Sequence, residues 1–407
     1  MPIHYLDNNA TTAVAPEVRD AILPFLDDQY FNPSSMYEPA QSIKEELDKA
    51  RSAIATQFGP LGPVSPKEFL FTSCASESNN AAIFGAIQAN PNRRHIITTT
   101  VEHPAVLEVC REAERRGCRI TYLPVDRQGN LNVIDFVQAL DDDVLLISIM
   151  HANNESGVVF PIDQLSRIAK ETDPAILFHT DATQSVTKLP IDLSDNFRYV
   201  DMLSFSGHKL HAPKGIGALY VRRGTRVRPF LIGGHQENGR RAGTENVAFI
   251  VGMARAMTLA AETAEEDEAR ILRLRDKLEQ GLLESIPYSE VNGQDAVRLP
   301  NTLNIAVHYV EGEGMLYGLD AEGICASSGS ACTSGSLEPS HVLRAMGVPF
   351  TAVHGSIRFS LSRYTAEAEI DHVLAVFPKI VESLRRMSPY WDVEKGEPRP
   401  DIETMFE

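Results

Sequence analysis

Two short runs put reactive side chains a strand apart. Asp181-Ala182-Thr183-Gln184 follows the apolar stretch Ala175-Ile176-Leu177-Phe178, and Ser204-Phe205-Ser206-Gly207-His208-Lys209 follows Val200-Asp201-Met202-Leu203. Both stretches have strand character, so an acid and a lysine are expected just past the ends of two successive strands of an α/β pattern. Open α/β sheets bind ligands beyond the carboxyl ends of their strands. A lysine there can form a Schiff base, and a carboxylate there can pair with a protonated pyridine nitrogen. Pyridoxal phosphate makes both demands at once. Ser206 and His208 add hydroxyl and imidazole donors suited to its phosphate, and Gln184 can donate to its phenolate oxygen. Taken singly, Lys209 reads as a solvated lysine and Asp181 as a capping aspartate; together, and with these neighbours, they favour the cofactor. No Gly-x-x-x-x-Gly-Lys-Ser/Thr run occurs, which excludes a Walker phosphate loop.

A second reactive group is a thiol. Cys332 lies in Ala326-Ser327-Ser328-Gly329-Ser330-Ala331-Cys332-Thr333-Ser334-Gly335-Ser336. Small polar neighbours favour an exposed loop, and an exposed thiol on such a loop is a candidate nucleophile. Cys325, after Gly323-Ile324, reads instead as a buried small hydrophobe. With Cys74, Cys110 and Cys118 the cysteines number five. An odd, sparse set points to a reducing cytoplasm rather than a disulfide framework, and the absence of Cys-x-x-Cys argues against structural zinc. His208 and His211, at i and i+3, could face one way on a helix, but such a pair is weak as a metal site.

The elements that must position these groups follow from hydropathy. Residues 16–261 alternate apolar strands with helical stretches. The strands are Glu68–Thr72, His95–Thr99, Val144–Ile149, the two before Asp181 and Lys209, and Gly217–Val221. The helices are Asn79–Gln88, Ala105–Arg116 and Leu165–Thr172. This is the pattern of a mostly parallel, buried sheet covered by helices. Glu262 to Leu283 reads as one long, charged, exposed helix. Strands Asn304–Val307 and Ser356–Ser360 and a helix Ile370–Met387 then suggest a smaller α+β domain. The expected fold is therefore α/β, with a large cofactor-binding domain at 16–261 and a small domain made of 1–15 and 262–407 that carries the Cys332 loop. Residues 388–407, rich in Pro and acid, are expected on the surface. With 38 Lys+Arg against 55 Asp+Glu, the net charge is −17. That argues against nucleic acid or an anionic membrane as partner. No basic segment followed by an apolar core opens the sequence, and no apolar run has the length of a membrane span.

The chain resembles the cysteine desulfurases of the aminotransferase-related pyridoxal-phosphate family, most of all the nitrogen-fixation type. The resemblance runs in order through Tyr5-Leu6-Asp7-Asn8-Asn9-Ala10-Thr11-Thr12, Asn32-Pro33-Ser34-Ser35, Glu102-His103, Asn153-Asn154-Glu155, Asp181 to Gln184, Ser206 to Lys209, Arg241-Ala242-Gly243-Thr244-Glu245-Asn246 and Ser327 to Ser336, ending near Ser388-Pro389-Tyr390-Trp391. It implies that Lys209 carries pyridoxal phosphate covalently and that His103 stacks on its ring. Asp181 would pair with the ring nitrogen and Gln184 with the ring oxygen. Ala75 (through its N–H), Ser76, Ser206 and His208 would hold the phosphate. Thr244 would reach the phosphate in a neighbouring subunit, which implies a homodimer. Asn154 and Arg358 would bind the carboxylate of the substrate, L-cysteine; the guanidinium fork matches a carboxylate. Cys332 would receive the sulfur as a persulfide, L-alanine being the other product. An iron–sulfur scaffold or another sulfur-acceptor protein would take it on, in the setting of nitrogenase maturation. The resemblance also implies that Cys332 can share a transient [2Fe–2S] cluster with that scaffold. Where this chain has Cys74-Ala75-Ser76 the family commonly has glycine and threonine; Ser76 keeps the hydroxyl, and Ala75 would be strained if its position required positive φ. Three rivals stay open on the residues alone: an aminotransferase, which leaves Cys332 without a role; a sulfur carrier, which leaves Lys209 without one; and a selenocysteine lyase.

Overall fold

The computed structural model describes residues 2–59, 62–328 and 339–399. Cys332, and with it the loop thiol and the shared cluster, lies outside the described residues. In chain order the elements are β1 (His4–Tyr5), α1 (Pro16–Ile22), α2 (Glu38–Gln57), β2 (Phe69–Thr72), α3 (Ala75–Ala89), β3 (His95–Thr99), α4 (Pro104–Arg115), β4 (Arg119–Leu123), α5 (Val133–Gln138), β5 (Val144–Ser148), α6 (Ile162–Thr172), β6 (Leu177–Asp181), β7 (Met202–Ser206) and β8 (Gly217–Val221). There follow a short turn α7 (Gln236–Gly239), α8 (Val247–Glu262), α9 (Ala264–Ser285), β9 (Ser289–Val291), β10 (Thr302–Val307), α10 (Gly312–Ala321), β11 (Ile324–Cys325) and β12 (Ser327–Ser328). After the loop come α11 (His341–Ala345), α12 (Phe350–Val353), β13 (Ser356–Ser360), α13 (Glu367–Met387) and a hairpin β14 (Trp391–Asp392) and β15 (Glu397–Pro398).

A seven-stranded sheet in the order β2-β8-β7-β6-β5-β3-β4 forms the centre. Only β8 runs against its neighbours; the other ladders are parallel. The sequence dictates this. Strands such as Val144–Ser148 and Met202–Ser206 are buried along their whole length, and a strand buried on both faces needs helices above and below it. The intervening segments supply them with an apolar stripe at helical spacing: Val106, Leu107, Val109, Cys110 and Ala113 on α4, and Ile162, Leu165 and Ala169 on α6. The fold is thus the α/β class expected. Because β2, β3, β5, β6 and β7 all point one way, the segments that leave them gather along one edge. Cys74-Ala75, His103, His151 to Glu155, Asp181 and Lys209 therefore share that edge.

A second sheet, β12-β13-β10-β9, packs its own cluster of Leu6, Leu274, Leu278, Leu303, Ile305, Phe359 and Phe377 between strands and the helices α9 and α13. Val342, Leu343, Met346, Ala352 and Val353 of α11 and α12 instead join the core of the large sheet.

Several expectations are corrected. The stretch from Glu262 is not one helix: α8 ends there, and α9 starts at Ala264 bent by 77°. Nor is α9 wholly exposed, since Leu274, Leu278 and Leu282 are buried. Trp391 is buried too, against Tyr288 and the Arg385 guanidinium, so residues 388–399 are not all surface. Cys325 is half-buried rather than a core thiol. His208 sits in a tight turn and His211 has φ 65, and their rings face Thr11 and Ala13 separately. Among the described residues no cluster could hold a metal ion. Ala75 is the first residue of α3 and has no positive φ, so the strain considered for it does not arise. No single helix among the described residues is long and apolar enough to cross a membrane.

Candidate active site

Lys209 closes the turn after β7, and Asp181 is the last residue of the adjacent parallel strand β6. The Lys209 Nζ donates to two backbone carbonyls, Asn9 O at 2.6 Å and Ala10 O at 2.7 Å. Those carbonyls belong to the N-terminal segment, which Thr12 N–H ties back to His208 O at 2.9 Å. Asp181 is buried and doubly held. Its Oδ2 accepts from Asn79 Nδ2 at 2.7 Å and its Oδ1 from the Thr183 N–H at 2.9 Å. Gln184 Nε2 donates to Asn9 O at 2.9 Å, the same carbonyl that Lys209 uses.

His103 caps α4, its Nδ1 accepting from the Ala105 N–H at 3.0 Å. Burial pushes its imidazole below the usual range, with the Asp181 charge opposing and that of Lys209 assisting. His208 is pushed further, to about 4, first by burial and then by Lys209 and Lys214. Both rings are therefore neutral at neutral pH. Beside His103, Glu102 is fully buried and burial raises its carboxyl to about 8.

Arg358, on β13 and 3% exposed, reaches the same edge from the second sheet. Its guanidinium donates to Asn154 O at 2.9 Å and to Asp7 Oδ1 at 2.7 Å, while its Nε is buried with no partner. A guanidinium fork beside a half-buried asparagine is a receptor for a carboxylate, with Asp7 as its resident anion. Residues 340 and 341 are fastened nearby: Ser340 Oγ donates to buried Glu155, and His341 Nε2 lies 2.9 Å from Glu102 O. Burial lifts the Glu155 carboxyl to about 7.

For a phosphate, the start of α3 is open. No side chain caps it, and the first N–H groups of a helix have no intrahelical partner and carry its positive end. Gly217 lets β8 press close there, since a Cβ would lie 2.7 Å from the Cys74 carbonyl carbon. Ser206 Oγ has only a 3.5 Å contact, to Ile216 O, and Thr183 Oγ1 is buried with no partner. Thr244 stands somewhat apart, in a cleft of about 230 Å³ with Thr72, Ser73 and Ile216. Arg241 of its loop pairs with Glu77 at 2.8 Å, in the first turn of α3. This donor set, with a lysine amine and a buried carboxylate on neighbouring strands, fits pyridoxal phosphate. Sequence reasoning gave no role to Asp7, Asn9, Asn79 or Lys188. The Asp7-Asn8-Asn9 run was a visible signal; Asn79 and Lys188 carried none.

The sheet order and this edge define an α/β enzyme fold of the aminotransferase kind. The pattern of class-V aminotransferases matches residues 4–373, and the chain belongs to that family. Within it the chain is 54% identical to a cysteine desulfurase of Trichormus azollae, over 97% of each chain. It is 52% identical to the cysteine desulfurase NifS of Azotobacter vinelandii, over 95% of this chain and 94% of that one. A solved structure described as a NifS-like protein superposes with a TM-score of 0.88 at 37% identity, covering 94% of this chain and 100% of that one.

Proposed function

We propose that this protein is a pyridoxal-phosphate-dependent cysteine desulfurase. It converts L-cysteine to L-alanine, holds the sulfur as a persulfide on Cys332 and donates it for iron–sulfur cluster assembly in nitrogenase maturation. The observation that carries this reading is the Lys209 amine one strand away from buried, doubly hydrogen-bonded Asp181. The identity to the two cysteine desulfurases over nearly the whole chain supports it.

When bound, pyridoxal phosphate supplies the electron sink that makes the Cα–H of an amino acid acidic. The chain's own groups do the rest. The Ala75 N–H, Ser76, Ser206 and His208 hold the phosphate, and Thr244 of a second copy completes it. Asp181 keeps a proton on the ring nitrogen, Gln184 bonds the ring oxygen, and His103 covers one face. Lys209 anchors the cofactor and, once released, its neutral Nζ takes the Cα proton. Arg358 and Asn154 bind the substrate carboxylate, which displaces Asp7 from the guanidinium. The Cys332 thiolate attacks the substrate sulfur. A sulfur–sulfur bond forms, the Cβ–S bond breaks, and its electron pair stays on Cβ, which is protonated on the way to alanine.

The working unit is a homodimer with an iron–sulfur scaffold as acceptor, Cys332 also serving a transient [2Fe–2S] cluster shared with that scaffold. Residues 16–261 form the cofactor-holding unit; residues 1–15 and 262–407 form the unit that carries Cys332, with α11 and α12 packed back onto the first. The four described cysteines are free, which suits a reducing cytoplasm.

The test is direct. The purified protein should be yellow and give alanine and sulfide in equal amounts from L-cysteine with a reductant. Lys209→Ala should lose covalent cofactor and turnover together. Cys332→Ala should keep the cofactor but release no sulfur, and mass spectrometry of the wild type should find added sulfur on Cys332 alone. A colourless protein, or a Cys332→Ala variant with normal turnover, overturns the assignment.

A further inference from the structure

One half-buried lysine at the site has no part in the reaction just described. Lys188 Nζ donates to Gln184 Oε1 at 3.1 Å. Gln184 Nε2 donates in turn to Asn9 O at 2.9 Å, and Asn9 O accepts from Lys209 Nζ at 2.6 Å. The three side chains and one carbonyl form a continuous chain of donors and acceptors. An amide has one oxygen and one NH2. A donor fixed on the oxygen therefore commits the NH2 to the opposite side.

The backbone gives a second observation. Thr187 has φ 67, the left-handed region that a β-branched residue avoids and that is held only where the surroundings impose it. The Lys188 N–H donates to Ser185 O at 2.9 Å, closing a turn directly after Gln184. Thr187 is exposed at this turn while Lys188 is drawn back inward.

The surroundings give a third. Burial first, and then the positive charges of Lys209 and Arg358, push the Lys188 amine down to about 7. His211 also feels its charge. Among the described residues no carboxylate lies within ion-pair distance of Lys188. Asp192, Asp267 and Arg363 line the same cavity of about 500 Å³. A lysine set beside other cations without an ion-pair partner is not there for charge pairing. Its hydrogen-bond partner is Gln184.

We infer that Lys188 is a positioning residue for the Lys209 site: by donating to Gln184 Oε1 it sets which way the amide faces and so holds its NH2 toward Asn9 and the cofactor's ring oxygen. This rests on the reading of Gln184 and Lys209 as the groups that hold the cofactor.

The test is a double-substitution cycle read by cofactor binding to the apo-protein, not by turnover. Lys188→Met keeps the length of the side chain and removes the donor; it should raise the dissociation constant for pyridoxal phosphate about five- to tenfold. Gln184→Ala should raise it by at least as much. The pair together should be no worse than Gln184→Ala alone, because Lys188 acts only through that amide. Lys188→Gln, which retains an N–H donor, should recover most of the binding that Lys188→Met loses. Independent, multiplying effects, or a Lys188→Met protein that binds as wild type does, overturn the inference. If Lys188→Met does not fold, the same cycle with Lys188→Ala, which also removes the donor, decides it by the same comparison. A Gln184→Ala protein with unchanged cofactor affinity instead sinks the underlying assignment of Gln184, and the two failures are told apart.

Discussion

At the scale of the residue, a single carbonyl does an unusual amount of organising. Asn9 O receives both the Lys209 amine and the Gln184 amide, while the Asn9 side chain donates to Thr302 Oγ1 at 2.8 Å and accepts from Asn301 at 3.1 Å. The two sheets thus meet through one asparagine. Sequence reading reached Lys209, Asp181 and Gln184 because their types alone suggest a chemistry. It could not reach Asn79 or Lys188, whose side chains are ordinary and whose role comes from what the fold sets beside them. Glu102 is another such case, and it yields a pH dependence. One of its oxygens accepts from Thr99 Oγ1 and the Met150 N–H, both at 2.9 Å, while the other is buried without a partner. The folded protein keeps this proton up to about pH 8, whereas the unfolded chain releases it near the ordinary glutamate value of 4.5. The folded state therefore binds more protons across that window, so the contribution of Glu102 to stability falls as pH rises through it. Glu102→Gln holds the group neutral and should flatten the decline of the melting temperature between about pH 5 and pH 8. Calorimetry at several pH values reads this directly, and an unchanged slope would contradict the assignment.

Elements were legible where burial is complete. Strands β3, β8 and β13 fall at the bounds expected for them, and each is buried along its whole length. Others were missed for physical reasons. β4 is an edge strand, paired only with β3, and its burial is partial. Helix α2 buries Ile43, Leu47, Ala50 and Ile54 at helical spacing, but charges between them dilute the signal. The break between α8 and α9 has neither proline nor glycine to announce it. At Thr263 the Oγ1 donates to Asp267 Oδ2 at 2.7 Å, four residues on, and accepts from distant Arg363. The meeting of β8 with the start of α3 makes a prediction at this scale. At Gly217 a Cβ would come within 2.7 Å of the Cys74 carbonyl carbon and 2.9 Å of Phe205 O, both backbone atoms that cannot swing away. Gly217→Ala should therefore cost about 1–3 kcal/mol of stability. It should also weaken cofactor retention if Ala75 and Ser206, the neighbours of the two crowded residues, hold the phosphate as proposed. A variant with wild-type melting and full cofactor content would show that α3 does not need this close approach.

For the whole molecule, the question is one of assembly. Leu23, Leu26, Tyr30, Met36, Tyr37 and Ile232 are large apolar side chains exposed on the single chain. A homodimer sharing sites through Thr244 predicts complementation. Mixing Lys209→Ala subunits with Thr244→Val subunits should give hybrid dimers with one intact site, and cofactor content should rise above that of either parent. An active protein that sediments as a monomer at low concentration rules this out. The N-terminal segment has a different kind of consequence, one of timing. β1 pairs in parallel with β11, Asn8 N–H bonds Ser360 O at 3.1 Å, and the carbonyls of Asn9 and Ala10 then cradle Lys209. During synthesis at roughly 5–20 residues per second, some twenty to seventy seconds separate residue 4 from residue 360 at the ribosome. Thr12 can meet His208 early, but the bond from Asn8 to Ser360 can form only when nearly the whole chain has been made. A chain cut short before Ser356 lacks β13, and with it Arg358 and that bond, so the edge around Lys209 is complete only when synthesis is almost over.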